Sequence, residues 1–110
     1  MPSPTFQQYS TTATLAAGVA QAIDIPINGC TNWQIILRNT GATNAVTAAT
    51  IATSSLGTLF SAAASITTGI PLAAVTSLGA IVGSSQPCLT ARLTLTSASG
   101  TTVAIEMVGS

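Results

Sequence analysis

Apolar and polar positions alternate with period two through much of this chain. Ile23, Ile25 and Ile27 are separated by Asp24 and Pro26, and Trp33, Ile35 and Leu37 by Gln34 and Ile36, with Arg38 following. Near the end, Leu89, Ala91, Leu93 and Leu95 alternate with Thr90, Arg92 and Thr94, and Val103, Ile105 and Met107 with Ala104 and Glu106. Successive side chains of a strand point to opposite faces, so each row predicts a strand with one buried and one exposed face. Val46, Ala48 and Thr50 continue the pattern, with a register change expected at Ile51. Turn-forming clusters punctuate the rows: Asn28-Gly29, residues 39–44 (NTGATN) and residues 97–101 (SASGT). Residues 54–88 have mixed spacing, where loops, one or two strands and a short helix from Leu59 to Ile66 all stay open. Short alternating strands with no amphipathic helices between them predict an all-β fold. The expectation is one antiparallel β-sandwich, of jelly-roll or Ig-like type, over residues 15–110, preceded by an extended N-terminal arm over residues 1–14.

Two hairpins follow from the turn clusters. Pairing Asn39 with Asn44 sets Leu37 opposite Val46 and Ile35 opposite Ala48. Pairing Ser97 with Thr101 leaves a three-residue loop whose last residue, Gly100, takes the left-handed conformation such loops require. That register places Leu95 opposite Val103, Leu93 opposite Ile105 and Arg92 opposite Glu106. A cross-strand Arg92–Glu106 ion pair is therefore expected as a structural pair that pins the register.

Charge changes this picture from an ordinary domain to an unusual one. Asp24, Arg38, Arg92 and Glu106 are the only charged side chains, and the net charge is zero. The 53 residues between Arg38 and Arg92 carry none. Soluble domains usually hold about a quarter charged residues, which keep copies apart. A chain without them is expected to have much of its surface covered by other macromolecules. Ala, Thr, Ser and Gly make up 59 of the 110 residues, so the large aliphatic side chains suffice for one thin core. Two isolated arginines make no basic stripe, which argues against nucleic acid. Ser, Thr and Gly interrupt every apolar stretch, so no membrane span is expected. The N-terminal MPSPTFQQYS lacks the basic and apolar segments of a secretory signal, so synthesis in the cytoplasm is expected.

Candidate chemistry is sparse. General acid–base catalysis most often uses His, and the chain has neither His nor Lys. A serine nucleophile therefore lacks a base beside it, and no phosphate-cradling glycine motif is present. No enzymatic activity and no cofactor are expected. Cys30 and Cys88 read either as two reduced, partly buried thiols or as a disulfide closing a long loop. Without His they cannot complete a zinc shell. Trp33, spaced with Ile35 and Leu37, reads as core; an exposed Trp33 would suit a carbohydrate-binding module. Pro2 and Pro4 favour extended backbone in the arm. Phe6 and Tyr9, alone among polar neighbours there, are candidate partner contacts, unless the arm is simply loose.

The arm, the strand from Trp33 to Asn39 ending in Asn39-Thr40-Gly41, and the closing segment from Arg92 to Val108 together resemble the small β-sandwich structural proteins of tailed bacteriophages, notably capsid decoration or cement proteins. The resemblance implies a non-enzymatic virion protein, made in the host cytoplasm and sited on the capsid surface. It implies a homo-oligomer (dimer or trimer) that binds major capsid protein subunits and locks them together. Tail or fibre components share the same pattern, and a carbohydrate or host-surface binding module is the alternative from another class.

Overall fold

Among the described residues eight strands follow one another along the chain, switching between two sheets at every step except from the fourth to the fifth. The computed structural model describes residues 7–56, 58–66, 70–74, 80–84 and 88–110, with 80–84 described by backbone. The strands are β1 (Gln7–Leu15), β2 (Gln21–Pro26), β3 (Trp33–Asn39), β4 (Ala48–Ser54), β5 (Ala64–Ser65), β6 (Ala80–Ser84), β7 (Thr90–Thr96) and β8 (Thr101–Gly109). One sheet has the order β1-β8-β3-β6 and the other β2-β7-β4-β5. Every pairing between these strands is antiparallel.

The pairing follows a simple rule. First pairs with eighth, second with seventh, third with sixth and fourth with fifth. This is one long antiparallel ribbon, folded at its middle and rolled up; the pairs β3–β8 and β4–β7 close the roll. An eight-stranded double sheet of this kind is a jelly roll, which resolves the choice left between jelly-roll and Ig-like types.

The inward rows are those the alternation predicted. Trp33, Ile35, Leu37, Val103, Ile105 and Met107 of one sheet face Ile25, Ala91, Leu93 and Leu95 of the other, all buried. Ile27, Val46, Ile66 and Leu72 plug the ends of the same cluster. Trp33 lies in the core at 5% exposure, which removes the aromatic platform that a sugar-binding reading would have used. In β4 the phase differs from expectation: Ala49, Ala52 and Ser54 are buried, while Ala48 is exposed. Alanine is small enough to sit on either face, so this row carried no reliable period.

Both expected hairpins are corrected. Leu37 pairs with Ala80 and Ile105 rather than with Val46, because β3 and β4 lie in different sheets. Likewise β7 and β8 are not neighbours. Arg92 lies on the outside of one sheet and Glu106 on the outside of the other, so the expected Arg92–Glu106 pair does not form. A sheet-to-sheet corner preserves the in–out alternation as well as a hairpin does, and the inward apolar rows suit either geometry. Gly100 does adopt a positive φ of 88°, but at that corner. The corner is fixed by buried Ser97, whose Oγ donates to the Ala45 carbonyl at 2.7 Å and accepts from the Gly100 amide at 3.1 Å.

Of the expected 1–14 arm, residues 7–14 are extended but lie in the sandwich's own sheet, within β1, which pairs along its full length with β8. Ala13 and Leu15 enter the core there. Residues 1–6, including Phe6, lie outside the described residues.

Candidate interaction surfaces

A sandwich has two outer faces, and here they differ. On the β2-β7-β4-β5 sheet, Asp24 stands directly opposite Arg92 in the strand register. Arg92 Nε donates to Asp24 Oδ1 at 2.8 Å and Nη2 to Oδ2 at 3.0 Å, a two-pronged bond. The guanidinium also lies 3.9 Å from the centre of the Phe60 ring, within cation–π range. The hydrogen bond from Arg92 is the main cause that holds the Asp24 carboxyl below its ordinary value of 3.8; the Arg92 charge adds to it and partial burial opposes it. The same bond raises Arg92. Arg92 and Asp24 remain 41% and 49% exposed, so the pair fixes geometry more than it stabilises the fold. Phe60 arrives from the connection after β4, which also carries Leu56 and Leu59, 80% and 85% exposed.

The β1-β8-β3-β6 sheet presents a different face. Its outward rows are Gln8, Ser10, Thr12 and Thr14 on β1, Thr102, Ala104, Glu106 and Val108 on β8, and Gln34, Ile36 and Arg38 on β3. The register aligns Ser10, Glu106 and Ile36 across the three strands, and next to them Thr12, Ala104 and Arg38. Arg38 and Glu106 are exposed, and among the described residues neither makes an ion pair. A shallow depression of about 510 Å³ opens beside Glu106, lined by Gln8, Ser10, Gln34, Ile36 and Val108, with Tyr9 and Met107 beneath. Tyr9, expected as a partner contact, is half-buried against the chain's own core and stands opposite Met107.

The ends of the sandwich are structural. At one end Asn39 is fully buried and fully satisfied. Its Nδ2 donates to the carbonyls of Asn44 (2.8 Å) and Leu72 (3.0 Å), and its Oδ1 accepts from the Gly41 amide (3.0 Å) and the Thr101 hydroxyl (2.7 Å). Asn44 extends the network by donating to the Gly100 carbonyl at 2.8 Å. At the other end Cys30 and Cys88 are buried free thiols. Burial chiefly, and then neighbouring Cys30, pushes the Cys88 thiol above its ordinary value of 9.0. Such a thiol is a poor nucleophile at neutral pH. Gly109 packs so closely here that a Cβ on it would lie 3.0 Å from Cys30 Sγ. Among the described residues no group of three His, Cys, Asp or Glu side chains is placed to hold a metal.

No protein-family model and no curated protein matches the sequence. Solved structures match in fold. A Bacillus endospore appendage protein, from appendages described as disulfide-linked pili, is 18% identical with a TM-score of 0.53, covering 96% of this chain and 87% of that one. The infectious bursal disease virus VP2 subviral particle gives 11% identity and a TM-score of 0.51, covering 94% of this chain and 32% of that one. The T13 particle of the same virus gives 11% and 0.50. This chain thus spans about a third of the length of the viral capsid chains it matches. At such identities the likeness is one of fold.

Proposed function

We propose that this chain is a non-enzymatic structural protein of a virion, a capsid decoration or cement protein that sits on the head and binds major capsid subunits. The observation that carries the proposal is the pairing of a jelly-roll fold with an almost uncharged exterior. Jelly rolls recur in viral capsid domains, and the similarity to chains of the infectious bursal disease virus particle supports the same class. Outward rows of Thr, Ser, Gln and Ala can be covered at low cost because they hold few ions to desolvate. Exposed Leu56 and Leu59 offer apolar contacts to the shell beneath. The chain carries no His or Lys for acid–base work, in keeping with a role in assembly. Of the two contacts expected in the arm, Tyr9 serves the sandwich itself and Phe6 lies outside the described residues.

The test is immunogold labelling of virions produced from the parent genome, using antibody raised against the purified chain. Regular labelling over the head surface is expected. Label confined to a tail or to separate filaments, or absent from virions, would reject a capsid role.

A further inference from the structure

We propose that the outer face of the β1-β8-β3-β6 sheet is a self-association surface, on which Arg38 of one copy pairs with Glu106 of a second copy and Glu106 with the second copy's Arg38. Four charges exist in the chain, and two of them, Asp24 and Arg92, neutralise each other on the opposite face. The other two share this face, exposed and without an ion-pair partner among the described residues.

Their positions are suited to reciprocal pairing. Glu106 stands opposite Ile36 and Arg38 opposite Ala104, so the two charges are diagonal neighbours across β3 and β8. Such neighbours lie about 7–8 Å apart at the backbone. A two-fold axis lying in the interface, crossing the line between them at its midpoint and at right angles, sets each charge against the opposite charge of the other copy. One symmetric contact thus makes two ion pairs, the isologous pattern of most dimers. The surrounding described residues, Ser10, Thr12, Gln34, Ile36, Ala104 and Val108, carry no charge that would oppose contact. Opposite charges also select this partner and orientation over others.

The inference stands on the charges of this face and not on the capsid reading. A chain that associates through it without entering virions would leave it intact. Sedimentation velocity of the full chain, across a concentration series at low and high salt, provides the test. Wild type is expected to associate, more weakly at high salt. Arg38→Glu and Glu106→Arg should each weaken self-association at least tenfold, because each sets like charges together. Mixing those two variants should restore it, since every facing pair in the mixed dimer is then opposite in sign. The neutral pair Arg38→Gln and Glu106→Gln provides a milder series should a reversal disturb folding, each weakening association, with partial recovery on mixing because the mixed dimer regains one of the two ion pairs. A wild type that stays monomeric throughout would overturn the proposal. So would reversals that associate like wild type, or a mixture that fails to recover.

Discussion

The two outer faces are built from the same few residue types, yet one has closed its charges and the other has not. On the β2-β7-β4-β5 sheet, Asp24, Arg92 and Phe60 form a self-contained stack. On the β1-β8-β3-β6 sheet, Arg38 and Glu106 stand one strand apart among Thr, Ser and Gln without pairing to each other. A nearly neutral chain can thus separate a face that is complete alone from one that is complete only against a neighbour. The distinction rests on which strands the roll brings together, not on composition.

The largest effect is expected from breaking the frame on which both faces depend. Asn39→Ala removes four hydrogen bonds that tie the 39–46 loop, Leu72 and Thr101 together. Leaving those groups buried and unpartnered should cost about 3 kcal/mol or more, read by urea unfolding. Gly109→Ala should be next. Its methyl meets Cys30 Sγ and the Asn32 carbonyl, at 3.0 and 3.1 Å. A loss of about 1–3 kcal/mol is expected from such overpacking, with partial recovery in the double variant with Cys30→Ala. Both changes should weaken the fold without making one face behave like the other.

A pH series sharpens the contrast more gently. Asp24 titrates below its ordinary 3.8 in the folded chain, so its contribution is complete above that value and is lost as pH falls through the lower folded one. Cys88 titrates above its ordinary 9.0 when folded, so the folded chain holds that proton more tightly. The resulting stability is present below 9.0 and is lost as pH rises through the folded value. Thermal unfolding should therefore show a plateau between an acid limb and an alkaline limb. Asp24→Asn should flatten the acid limb, Cys88→Ala the alkaline one, and neither should alter self-association.

How far the sequence reached follows from the same topology. The inward rows from Ile23 to Ile27, Trp33 to Leu37 and Val103 to Met107 were legible because large side chains repeating every second residue leave little choice of face. Leu89 was the exception, at 40% exposure just before β7 begins. Strand partners were not legible. In the rolled ribbon Asp24 meets Arg92 across 68 positions, while the tempting neighbours β7 and β8 belong to opposite sheets. Local turn signals such as Ser97 to Gly100 fit a corner as well as a hairpin. The open face is hidden in the sequence for that reason: nearness along the chain points Glu106 to Arg92 and offers Arg38 no partner. The buried network around Asn39 was also missed, since the cluster NTGATN read only as a turn. Its signal was an Asn closing an apolar row at the position where the next inward side chain was due.

The most direct measurement sets one face against the other in a single experiment. Arg38→Glu and Asp24→Arg, each purified and shown to be folded, are compared with wild type by sedimentation velocity at matched concentration and low salt. Loss of association in the Arg38 variant, with association retained in the Asp24 variant, is the predicted result. Equal behaviour of the two variants would contradict the account.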